Sequence, residues 1–139
     1  MARRHWLLKS DPETFGWADL ERAPRRRTVW DGVRNYQARN TLRDDVSKGD
    51  GVLFYHSQAE KAVVGTCVVT RAGFPDPTDE AWTAIEIGLD AKLAVPVTLE
   101  AMRKVPGLSG MVLLQRGSRL SVQPVTEAEW RIVLGMGRG

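Results

Sequence analysis

Apolar residues recur along the chain with two spacings, and the switches between them mark the elements. HWLLK at 5–9 reads as a strand that stops at Ser10-Asp11-Pro12, and WADLERA at 17–23 as a short helix after the TFG turn. The arginine run 25–27 falls in a loop. VRNYQARNTLR at 33–43 has helical spacing, with Val33, Tyr36, Leu42 and Val46 as its inner face. After the KGDG turn at 48–51, VLFYH and AVVGTCVVTR carry the β-branched, period-two signature of two adjacent strands joined through SQAEK.

A loop GFPDPTDE at 73–80 then leads into WTAIEIGLDAKLAVPV, a long strand or hairpin that begins at Trp82. A helix over TLEAMRKV and a short apolar helix around GMVLL follow. LSVQPV at 120–125 is the last strand, and Thr126 with Glu129 forms a capping box that opens the helix TEAEWRIVL. The pattern predicts an α+β fold: a mixed sheet of about five to six strands that curls into a partial barrel, flanked by short helices.

With 139 residues and no internal repeat or linker, residues 1–139 are expected to form a single domain. Apolar runs such as VLFY fall far short of the roughly 18 residues a membrane span needs, so no membrane partner is expected. Only three consecutive apolar residues follow the N-terminal arginines, too few for a secretory leader, which points to the cytoplasm. The single Cys67 excludes an internal disulfide and, lying among β-branched residues, reads as a buried small hydrophobe. With only two histidines beside it there is no zinc array, and no cofactor or metal is expected.

Charge changes the picture. The net charge is only +3, but the whole surplus lies in residues 1–70, and most of the 20 basic residues are arginine. Arginine's planar fork suits phosphates and base edges, so the first half predicts a basic face. WDGVRNYQARNTLR at 30–43 concentrates this chemistry: Trp30 sits beside a turn, followed by the donors Arg34, Asn35, Gln37, Arg39 and Asn40. Asp31 is a candidate helix cap, with the amide groups of the first turn behind it.

Two further segments carry polar groups at strand ends. In strand 52–57, parity places Leu53, Tyr55 and Ser57 on one face and Val52, Phe54 and His56 on the other. Tyr55 offers a ring, and His56 and Ser57 offer donors and acceptors for a flat heterocycle. In LSVQPV, Ser121 and Gln123 share one face and either bond a ligand or meet solvent. Enzyme templates find little support: there is no Walker loop, GxGxxG or GxSxG, and Ser57 and His56, being adjacent, face opposite ways. A competing enzyme reading keeps His56 as an acid or base acting on a nucleotide or RNA.

Taken together, WLLKSDP at 6–12, WDGVRNYQARN at 30–40, KGDGVLFYHS at 48–57, VVGTCVV at 63–69, FPDPT at 74–78 and RLSVQPV at 119–125 resemble the EVE domain family over nearly the whole chain. Asp11 stands where that family more often has Glu, the stretch near 82–97 is short and apolar, and the arginine run 25–27 is an elaboration outside the family pattern. The resemblance implies a PUA-like pseudo-barrel, related to YTH and ASCH domains. It also implies a non-catalytic module that binds nucleic acid through a modified base, either a 5-methylcytosine-type DNA base or a modified RNA base.

On that footing Trp30 and Tyr55 are expected to sandwich a flipped base, with Ser10, Asn35, His56, Ser57, Ser121 and Gln123 meeting its edge. Lys9, Arg34 and Arg39 are expected to hold flanking phosphates. The expected partner is DNA or RNA carrying modified bases, bound by a monomer.

Overall fold

The computed structural model describes residues 3–58, 60–115 and 120–138; Arg119 of the RLSVQPV segment lies outside them. Six strands form one sheet: β1 (His5–Ser10), β2 (Arg27–Trp30), β3 (Gly51–His56), β4 (Ala62–Asp76), β5 (Asp79–Thr98) and β6 (Val122–Val125). Their order is β2-β5-β4-β3-β1-β6. β1 and β3 run parallel, and every other neighbouring pair is antiparallel. Register shifts recur along the β4–β5 ribbon; such bulges increase local twist and let a sheet curl. The helices are α1 (Trp17–Arg22), α2 (Tyr36–Asp44), α3 (Leu99–Arg103) and α4 (Glu127–Met136).

Strand parity divides the core in two. On one face Trp6, Leu8, Val52, Phe54, Cys67, Ile85 and Ile87 pack with Trp17 and Leu20 of α1 and with Ala38 and Leu42 of α2. On the other, Leu7, Leu53, Tyr55, Val63 and Val97 pack with Met102 of α3 and with Trp130 and Val133 of α4. Gly65 permits the closest approach in the first core: a Cβ there would lie 2.3 Å from the Trp17 ring. Burial pushes the Cys67 thiol well above its ordinary range, in keeping with its expected role as an inert apolar residue.

Three boundaries differ from the pattern read along the chain. The arginine run does not end as a loop: Arg25 and Arg26 take left-handed backbone at φ 57° and 54°, and Arg27 starts edge strand β2, which pairs with β5. Only that long-range pairing makes RTVW a strand, so local propensity missed it. The segment 73–80 is not a free loop but the tip of the β4–β5 hairpin, where Asp76 accepts from the amide and hydroxyl of Thr78 at 2.7 and 2.6 Å. Finally, α2 starts at Tyr36 rather than 33, capped by Asn35 instead of Asp31, with Asn35 Oδ1 accepting from Ala38 N at 3.0 Å. Starting there turns Tyr36 outward, 67% exposed, while Val33, Leu42 and Val46 are buried as expected.

Candidate functional site

A cleft of about 500 Å³ opens where β1 and β2 end, a volume typical of small-ligand pockets (roughly 300–1,000 Å³). Two segments line it. Lys9, Ser10, Asp11, Thr14 and Phe15 come from the end of β1 and the turn after it, and Thr28, Val29, Trp30 and Asp31 from β2 and its exit.

Short-range hydrogen bonds hold the first segment. The Ser10 hydroxyl donates to the Phe15 carbonyl. The Asp11 carbonyl accepts from Thr14 N and Phe15 N at 3.0 and 2.9 Å, and its carboxylate accepts from Glu13 N at 3.0 Å. The Ser10 carbonyl accepts from both the amide and the hydroxyl of Ser57, at 2.8 and 3.2 Å, which ties the turn to the end of β3. The second segment rests on an aromatic support. Trp30 is half-buried, its ring edge-on to Phe54, with centroids 6.1 Å apart.

The structure thus brings Lys9, Ser10 and Trp30 together and places Ser57 directly behind them. Tyr55 must be corrected. It is 3% exposed in the second core, whereas Trp30 packs against the first. Adjacent residues of β3 point to opposite faces, so the ring on Trp30's side of the sheet is Phe54, and Tyr55 cannot form the second half of a sandwich with Trp30. Gln123 requires the same correction: its register partner is Leu7, it is 1% exposed, and its amide donates to the Leu120 carbonyl at 2.9 Å. Ser121 precedes β6 and offers its backbone carbonyl to Lys9 N at 2.9 Å.

His56 and Asn35 serve the scaffold. His56 Nε2 accepts from Trp17 N at 3.0 Å, and Nδ1 lies 2.5 Å from Glu60 Oε1, so both ring nitrogens are engaged between α1 and the chain after β3. That arrangement presents neither nitrogen to a substrate. The Asn35 side chain caps α2 and does not line the cleft.

Arg34 is pinned rather than loose. Its guanidinium bonds Asp76 and Thr78, each at 3.0 Å, while Asp76 also accepts from Gly32 N at 2.8 Å. Gly32 takes φ +75°, which glycine adopts without strain. Desolvation pushes the Asp76 carboxyl up, but bonds from Thr78, Gly32 and Arg34 outweigh it and hold the group well below the usual carboxylate range. The loop 31–35 is therefore fixed at two points on the β4–β5 tip. Arg39 lies over the Tyr36 ring, 5.0 Å from its centroid. At the cleft, burial draws the Lys9 ammonium below its ordinary pKa.

Thr14, Phe15, Thr28, Val29 and Asp31 also line the cleft, although the sequence marks none of them as a binding residue and reads Asp31 only as a helix cap; Phe54 supports Trp30 from behind. Parity had already set Phe54 opposite Tyr55. Choosing between them requires knowing which face β2 approaches, and β2 carries no local strand signal. Among the described residues no group of three or more His, Cys, Asp or Glu is arranged to hold a metal ion.

The curled six-stranded mixed sheet with a few short helices is a PUA-like fold. An ASCH protein from Zymomonas mobilis shares the fold, with a TM-score of 0.58 at 10% identity over 97% of this chain and 96% of that one. Within that class the chain belongs to the EVE domain family, whose pattern matches residues 4–136. Human thymocyte nuclear protein 1 is 32% identical over 166 aligned positions, covering 95% of this chain and 73% of that protein. A protein from Agrobacterium tumefaciens superposes with a TM-score of 0.90 at 39% identity, over 96% of this chain and 92% of that one. Human THYN1 in complex with 5-methylcytosine-containing DNA superposes with a TM-score of 0.89 at 29% identity, over 98% of each chain.

Proposed function

We propose that this chain reads a modified cytosine in DNA, taking the flipped base into the cleft between Trp30 and the 10–15 turn without catalysing a reaction. The observation that carries the reading is the cleft itself, with an indole held in place by Phe54 and an exposed carboxylate, Asp31, at the same opening. Stacking on an aromatic side chain contributes about 1–3 kcal/mol per base, and extruding a base costs a few kcal/mol. The two nearly cancel, so edge contacts must decide. Cytosine presents an N4 amino donor, for which an Asp carboxylate is the matching acceptor, and this assigns Asp31 to the base edge. Burying the extra methyl contributes roughly 0.8 kcal/mol.

Lys9 and Arg39 are assigned to flanking phosphates, and Arg34 to holding the loop that carries Asp31. The DNA-bound structure of THYN1, alike over nearly its whole length, supports 5-methylcytosine as the base and DNA as the polymer. The test is fluorescence anisotropy with otherwise identical oligonucleotides containing one cytosine, one 5-methylcytosine, or the same modification in RNA, across a salt series. Tighter binding of the methylated DNA at every salt concentration is expected. Equal affinity for all three removes the reading.

A further inference from the structure

Five residues after Asp31, the exposed Tyr36 ring packs at a tilt against Trp82 of β5, with centroids 5.0 Å apart and planes inclined at 32°. Arg39 lies over both rings, 5.0 and 5.7 Å from their centroids, and Arg34 lies 5.4 Å from that of Trp82. We propose that this four-residue platform is a second nucleic-acid contact, which stacks an unpaired base of the strand flanking the flipped nucleotide and holds its phosphodiester with Arg39. The proposal rests on the modified-base reading of the cleft and extends the bound strand beyond it.

Three observations argue for it. The first is exposure: among the described residues Val29, Tyr36 and Val95 are the large hydrophobic side chains most open to solvent. Val29 lines the cleft, and Tyr36 begins the helix that the cleft's exit loop enters. Two of the three thus flank one loop.

The second is geometry. Asp31 stands at the cleft and Tyr36 on the platform, five steps along the chain with four residues between them, a span of at most about 18 Å. At about 3.4 Å of rise per nucleotide, that is within about five nucleotides along a strand. Asp76 fixes the connecting loop through Gly32 N and Arg34, which holds platform and cleft in one frame.

The third is chemistry. Arg34 already neutralises Asp76, whereas the hydrogen bonds of the Arg39 guanidinium shown among the described residues go to the neutral Asn40 side chain at 3.2 and 3.0 Å; its charge is felt by Asp44, which Arg43 already pairs, and it faces the two rings. An aromatic surface beside an arginine suits a base and its phosphate. The acidic Asp79 and Glu80, which begin β5 at the hairpin tip, repel a phosphodiester there, so the strand is drawn toward Arg39.

The test measures anisotropy of the full chain with a single-stranded oligonucleotide that carries one 5-methylcytosine and a fluorophore, alongside the cytosine control. Tyr36→Ala and Arg39→Gln should each weaken both oligonucleotides about five- to ten-fold and leave their ratio unchanged, whereas Tyr36→Phe should bind like the parent. Replacing flanking nucleotides one at a time with abasic sites should reproduce the Tyr36→Ala loss at one position, with no further loss when the two changes are combined. Tyr36→Ala within two-fold of the parent overturns the platform alone. Trp30→Ala without effect, beside a clear Tyr36→Ala loss, overturns the cleft reading and leaves the platform standing. No binding by the parent chain overturns both.

Discussion

The indole of Trp30 meets the ring of Phe54 edge-on, with planes at 83°. Phe54 also meets Trp17 and His56 edge-on, at 5.6 and 5.8 Å, so one fully buried phenyl sets the orientation of the cleft's aromatic wall. Edge-to-face pairs contribute about 0.5–1.5 kcal/mol beyond burial. Trp30 itself lies on a short edge strand and is only half-buried. Trp30→Ala should therefore fold, with a small loss of stability, while binding to 5-methylcytosine DNA falls about ten-fold or more. Anisotropy paired with thermal melting by circular dichroism checks this; a melt that collapses along with binding would show that Trp30 acts through the fold.

Tyr55 gives the complementary expectation. Its ring belongs to the second core, so Tyr55→Ala should cost about 3–5 kcal/mol of stability. Affinity per folded molecule should be unchanged. Urea titration and anisotropy on the same preparation separate the two effects. A specific loss of modified-base affinity in a stable Tyr55→Phe variant would return the phenol to the site.

The contrast between these neighbours shows how much the chain disclosed. Short apolar runs rich in β-branched residues, alternating in part and bounded by turn residues, locate β1, β3, β4 and β6, and the Thr126–Glu129 capping box locates α4, because those signals are local. Lys9, Ser10 and Trp30, which line the cleft, are legible in the sequence as candidates: Lys9 and Ser10 stand at the polar break after an apolar run, and Trp30 stands beside a turn followed by donors. Tyr55 and Gln123 were misplaced because face assignment depends on pairing across the sheet. Nothing within RTVW announces that it joins β5, and that pairing decides which face Trp30 covers.

Asp76 makes stability pH-dependent. Its folded-state pKa is depressed, so its contribution is fully present above the unfolded value of 3.8 and is lost as pH falls below it. Asp76→Asn should cost roughly 3 kcal/mol near neutral pH, because the Arg34 charge loses its partner and buried bonds are broken. The deficit should shrink as the parent carboxylate protonates. Chemical denaturation of both proteins between pH 7 and pH 2 measures this, and a difference independent of pH would rule out the carboxylate charge as the source.

His56 tests whether the residue closest to an acid–base catalyst belongs to the scaffold. The Trp17 amide donates to Nε2, which leaves the ring proton on Nδ1 toward Glu60. His56→Leu fills similar space but removes the acceptor, leaving the Trp17 N–H unpaired beside a buried indole at a cost of about 1–3 kcal/mol. Because α1 is six residues long and has few bonds of its own, the loss should concentrate there. Native-state hydrogen exchange should show the Trp17 and Leu20 amides exchanging faster while amides of β3 and β4 keep their protection. Modified-base affinity should fall by no more than a few-fold, through loosening of the 10–15 turn. Unchanged exchange in α1 combined with complete loss of binding would mean that His56 meets the ligand directly.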